Sequence, residues 1–225
     1  MSEEFIAPGR FIDSASPNVV AFAREAADGD GSVMARVLRL YTAVRDEIIY
    51  DPYVDLGDPA NFRAGSVLEL GRGFCIGKAA LLAACCRVIG VPARVGYADV
   101  RNHLSSPRLT EYMGTDIYVW HSYADILIDG AWVKATPAFN AALCRRLGLD
   151  PLEFDGRTDS LLHPYDQAGR LYMEYLHDRG PFPDVPFDSI MTAFRSHYPA
   201  LMRKGRLAGD FQAEAVAGEP VSQSA

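Results

Sequence analysis

An α+β fold, in which one enclosed helix bearing a cysteine packs on an antiparallel sheet, is what this sequence predicts, and three observations carry the prediction. The run Gly71-Arg72-Gly73-Phe74-Cys75 opens an apolar stretch from Ile76 to Ile89 that is closed by Gly90-Val91-Pro92. Asp116 to Ile128 and Ala131 to Thr136 flank Asp129-Gly130, a pair suited to the two-residue turn of a β-hairpin. Ahead of both, Val33, Val37, Leu40, Tyr41, Val44 and Ile48 recur at helical spacing.

Composition bounds the function classes. With 225 residues, 49% of them apolar, the chain can bury a sizeable core. A net charge of −7, with no basic cluster beyond Arg203-Lys204-Gly205-Arg206, argues against nucleic acid as a partner. The start, Met1-Ser2-Glu3-Glu4-Phe5, is acidic where a secretory leader is basic and then apolar, and no segment has the length of a membrane span. The expectation is a cytoplasmic protein with no membrane partner. Cys75, Cys85, Cys86 and Cys144 form no CxxC pair and no extracellular framework, so they read as reduced thiols.

The elements follow in order. Residues 1–32 are mixed and rich in turn formers and read as an N-terminal extension. Residues 33–137 form the core. Its first helix, Val33 to Ile49, is amphipathic, with Arg36, Arg39, Arg45 and Glu47 on its other faces, and Asp51-Pro52 ends it. Pro52 to Gly65 reads as a long loop, a suitable wall for a cleft. In the cysteine-bearing helix Lys78 and Arg87 lie on opposite sides, so no polar face exists and the helix is enclosed nearly all round. Ala79, Ala80, Ala83 and Ala84 let neighbours approach closely, and Gly90 supplies the left-handed stop. Ala93 to Val100 reads as a strand, followed by a polar loop through Asn102, Ser105, Ser106 and Pro107. In the hairpin, pairing Ile128 with Ala131 sets Asp125 opposite Lys134 and Tyr123 opposite Thr136. Residues 138–204, with helices over Ala141 to Leu147 and Ser189 to Tyr198, read as an extension packed on the core; 205–225 read as a flexible tail.

The chemistry centres on Cys75. The first N–H groups of a helix are unpaired and partly positive, so a thiol there can ionise near neutral pH. The bland alternative is a small apolar residue in the core. A nucleophile needs a base, and of His103, His121, His163, His177 and His197 only His121 sits within a clear strand. Strict alternation puts it on one face with Val119, Tyr123 and Asp125, and makes Thr136 its diagonal neighbour across the hairpin. Tyr50, Trp120 and Tyr123 are candidates for a groove, though aromatic residues near strands more often serve the core. Cys85 and Cys86 read as packing. His103 near Asp99 lacks a second ligand pair, so no metal and no cofactor are expected.

Gly71-Arg72-Gly73-Phe74-Cys75, Gly90-Val91-Pro92-Ala93-Arg94, His121-Ser122-Tyr123-Ala124 and Gly130-Ala131-Trp132-Val133, in that order, resemble the core of the transglutaminase-like superfamily. The resemblance covers roughly Val33 to Pro137. It implies a papain-like fold, Cys75 as nucleophile and His121 as base. One position departs: where the family carries aspartate before a proline, Trp132-Val133-Lys134-Ala135-Thr136-Pro137 has Thr136. A hydroxyl can orient imidazole but brings no negative charge. Three readings follow: Thr136 orients His121, Asn140 or Asp155 does so instead, or the site is inactive. The expected function is thiol-dependent acyl chemistry on a peptide, protein or small amide, by hydrolysis or by transglutaminase-type transfer, the alternative being a binding domain that has kept the fold without catalysis.

Overall fold

The computed structural model describes residues 3–105 and 107–215, so Ser106 of the polar loop and the last ten residues of the expected tail lie outside it. At its centre is α4 (Cys75–Val88), whose side chains from Ile76 to Arg87 are all buried. Ser16 precedes α1 (Pro17–Ala26) and Ser32 caps α2 (Val33–Glu47) through the Ala35 N–H; both helices pack on α4. Helix α1 escaped the sequence reading because its apolar face is short, with only Val19 and Ala23 buried along it.

Between α2 and α4 the expected loop holds structure of its own. The short strand β1 (Ile49–Tyr50) pairs in parallel with β2 (Arg72–Gly73), and α3 (Ala64–Leu70) lies between them. Gly71, at φ 63°, ends α3 in the left-handed region and turns the chain into β2. Lys78, fully buried on α4, donates to the carbonyls of Arg45 and Ile48 at the end of α2, where orphan carbonyls need donors. Burial in this apolar setting pulls its ammonium down to about 7.

On the other side of α4 stands a four-stranded antiparallel sheet in the order β5-β4-β3-β6, built from β3 (Ala93–Asn102), β4 (Ile117–Ile128), β5 (Ala131–Ala135) and β6 (Met173–Phe182). The turn between β4 and β5 has Asp129 at φ 51° and Gly130 at φ 86°, the two positive values a type I′ turn requires. The register is the expected one at Ile128↔Ala131 and Asp125↔Lys134. It stops at Ala124↔Ala135, so Tyr123 and Thr136 do not pair. Thr136 turns away to give its N–H to the Ser160 carbonyl at 2.8 Å, because Ala135 already bridges to Ser160 across the next loop.

Residues 138–204 supply β6 as an edge strand of this sheet, together with α6 (Ala141–Leu147), α7 (Phe187–His197) and α8 (Pro199–Lys204). The polar loop after β3 gives way to α5 (Pro107–Met113). The described part of the segment read as a flexible tail, residues 205–215, carries α9 (Phe211–Glu214) with Phe211 buried. Gln212 donates to the Tyr50 carbonyl, and the Leu207 N–H to that of Tyr53, which holds this segment against β1 and the loop after it. No helix among the described residues is long and apolar enough to cross a membrane.

Candidate active site

Cys75 occupies the first position of α4, and it is the one cysteine of the four with exposed surface. The approach to it is tight: a side chain at Gly77 would meet the Asn61 carbonyl at 2.4 Å, so only glycine lets α4 start where it does. The backbone N–H groups of Cys75, Ile76 and Ser122 lie where they favour the thiolate. Burial outweighs them and pushes the thiol up to about 11. The expectation of ionisation near neutral pH is thereby corrected: the helix N-terminus is present, but desolvation wins.

The Ser122 contact brings β4 to the thiol one residue beyond His121. No hydrogen bond joins the Cys75 sulfur to the His121 ring. His121 is 8% exposed, and burial together with the charge of His163 lowers its imidazole to about 4. Thiol and imidazole are therefore both neutral at pH 7.

What aims His121 is a break in the strand. The β3–β4 ladder runs regularly to Ala98↔His121, slips, and resumes at Val100↔Tyr118. At the slip Trp120 sits at φ 61°, a conformation that side chains other than those of glycine, asparagine and aspartate seldom adopt. Its N–H donates to Asp99 Oδ1 at 3.0 Å. Asp99 is held in turn by Nε and Nη2 of Arg179 on β6, each donating at 2.7 Å, and that guanidinium lies 4.8 Å over the Trp120 ring. The bulge cancels the alternation that would put His121 beside Val119. Instead Tyr118 and His121 line one cavity.

None of the three candidates for orienting His121 reaches it. The Thr136 hydroxyl is buried without a hydrogen-bond partner. Asn140 spends its carbonyl oxygen on the Tyr50 N–H and the Gln212 amide. Asp155 is exposed and closes a local turn with Arg157 and Thr158. The group nearest in character is His163, buried, hydrogen-bonded through Nε2 to the Asp150 carbonyl at 2.8 Å and stacked on Phe139. It lies in an irregular stretch, so no strand pattern marked it. Tyr50 was legible as a groove candidate and does line the cavity. Trp120 instead packs against Tyr97 and Phe182, and Tyr123 under Lys134, both away from it. Among the described residues no group of three or more histidine, cysteine, aspartate or glutamate side chains could hold a metal ion.

A cysteine at the head of a central helix, packed on an antiparallel sheet that carries a histidine, defines the papain-like architecture of transglutaminase-type cores. A family profile agrees over residues 20–137, and the chain belongs to the transglutaminase-like superfamily. Among solved structures it is similar to a candidate cysteine protease from Cytophaga hutchinsonii, with a TM-score of 0.51, 18% identity, 83% of this chain covered and 48% of that one. The chain thus spans about half the length of that protein. A candidate protease from Parabacteroides distasonis matches with a TM-score of 0.41 and 16% identity over 62% of this chain and 26% of that one. No functionally curated protein matches.

Proposed function

We propose that this chain is a thiol-dependent hydrolase of amide bonds, with Cys75 as nucleophile and His121 as base. The observation that carries the reading is that α4, headed by Cys75, packs on β4, the strand that carries His121, with the Ser122 backbone beside His121 favouring the thiolate. Because burial keeps both groups neutral, His121 takes the thiol proton as the sulfur attacks the carbonyl, instead of holding a preformed ion pair. The sulfur bonds to the carbonyl carbon, and the oxyanion is stabilised by the Cys75 and Ser122 N–H groups. His121 then returns the proton to the leaving amine, the C–N bond breaks and a thioester remains. Water, deprotonated by His121, releases the acid. Hydrolysis is preferred to amine transfer because water is always at hand, whereas transfer needs a site that excludes it. A peptide or small amide is the substrate class, and the setting is cytoplasmic.

A second reading is favoured by one observation: among the described residues no acceptor is hydrogen-bonded to the His121 ring. In it the domain keeps the fold and binds without catalysis. Alkylation by iodoacetamide separates the two. If His121 acts as base, Cys75 reacts faster in wild type than in His121→Ala at pH 7. Equal rates in the two proteins, both titrating as an isolated thiol, would exclude the enzyme reading.

A further inference from the structure

We propose that the cavity beside His121 is a specificity subsite for one large uncharged side chain of the substrate, aromatic by preference. The inference rests on the hydrolase reading and adds the substrate class to it. The cavity measures about 320 Å³, within the range that holds a small ligand group. Five rings line it, those of Tyr50, Tyr118, Phe139, Tyr172 and Phe211, contributed by segments far apart in the chain.

Most of its polar wall groups are already engaged. The Ser105 and Tyr118 hydroxyls bond to each other at 2.9 Å. Asn102 accepts the Leu104 N–H at 3.1 Å. Arg170 is tied to Asp166 at 2.7 Å, and Glu214 to the Tyr53 hydroxyl at 2.8 Å and to Arg108. A charged occupant would therefore lose its water for few free partners, whereas an apolar one replaces water against rings. Among the described residues, two groups on this wall have no such partner, the Tyr50 hydroxyl and the buried His121 imidazole. An unengaged base at the edge of an apolar pocket places the reacting amide next to the side chain that the pocket selects.

The test uses the full chain carrying Cys75→Ala, which cannot turn over, titrated with the N-acetyl amides of phenylalanine, leucine, alanine and lysine and followed by NMR. The phenylalanine amide is expected to bind roughly tenfold or more tighter than the alanine and lysine amides, with leucine between. Leu147→Trp, at the half-buried end of α6 on the cavity wall, should abolish that preference. Leu104→Trp is the second filling variant should the first not fold. Equal affinity for all four amides overturns the proposal, as does a phenylalanine preference that survives both folded tryptophan variants. Failure of the hydrolase reading is seen separately, as absence of Cys75-dependent hydrolysis by the wild-type protein, and leaves the ranking of amides intact.

Discussion

Strand β4 is two structures in one. From Ala124 to Ile128 it is a regular ladder closed by a type I′ turn, and from Tyr118 to His121 it is bulged and held in a conformation its own sequence does not favour. Each half carries an aspartate–arginine pair: Asp125 with Arg94 in the regular half, Asp99 with Arg179 at the bulge. The regular half could form from its own alternation and turn. The bulged half exists because β3 and β6 hold it from outside, and that half carries the histidine. Backbone strain maintained by its surroundings is characteristic of sites where a side chain must be aimed.

The largest effect that tests this contrast is loss of the aimed group itself. His121→Ala should lower kcat by roughly 10²–10⁴-fold while the fold is retained, the range for removal of a general base. Steady-state hydrolysis of an aromatic amide, with circular dichroism as the folding control, measures it. Retention of full activity would move the chemistry away from the bulge altogether.

Next comes the clamp behind the histidine. Asp99 engages both carboxylate oxygens, Oδ1 with the Trp120 N–H and Arg179 Nε, Oδ2 with Arg179 Nη2. Asp99→Asn removes the charge and one acceptor, and should cost about 1–3 kcal/mol of stability. Because Trp120 precedes His121, kcat should also fall about tenfold with KM little changed. A variant that is destabilised yet keeps wild-type kcat would make the clamp structural only.

A third effect is read in pH. His121 is held at about 4 in the folded chain against an ordinary value near 6.5. Between those values the unfolded chain binds a proton that the folded chain does not, so stability declines as pH falls from about 6.5 towards 4. His121→Gln removes this linkage. Urea unfolding at intervals from pH 4 to 7 should show wild type losing stability in that window relative to the variant, and parallel curves would contradict the burial of a neutral imidazole.

The same contrast explains what the sequence disclosed. The helix from Cys75, the hairpin register at Asp125↔Lys134 and the type I′ turn all follow from local pattern, because apolar period and turn chemistry are properties of neighbouring residues. The bulge at Trp120 is not such a property. It depends on Asp99 and Arg179, far away in sequence, so alternation extended through it placed His121 with Val119 instead of Tyr118. β6, mostly exposed and rich in charge, shows no apolar alternation and was invisible for that reason. Nor could the thiol be judged from its helix position alone: the N–H groups that favour ionisation are local, whereas the burial that opposes it comes from the packed sheet.

The smallest expected effect is at the regular half, and it makes the comparison sharpest. Asp125 receives Arg94 Nε at 2.7 Å, much as Asp99 receives Arg179, so contact distance alone would rank the two alike. Their settings differ. Asp125 Oδ1 is buried with no partner, and burial raises its carboxyl above the ordinary range despite Arg94. The charge is therefore desolvated more than it is compensated. Arg94, for its part, does not depend on Asp125 alone, since its guanidinium lies 3.9 Å over the Trp132 ring and 5.4 Å from that of Phe5. Asp125→Asn keeps an oxygen for Arg94 and removes an undercompensated charge, so stability should change by no more than about 1 kcal/mol and kcat not at all. Thermal melts and hydrolysis assays side by side with Asp99→Asn check this. A loss at Asp125 equal to that at Asp99 would mean that the ladder half needs its ion pair as much as the bulge does, and that the two halves of β4 are held by the same means.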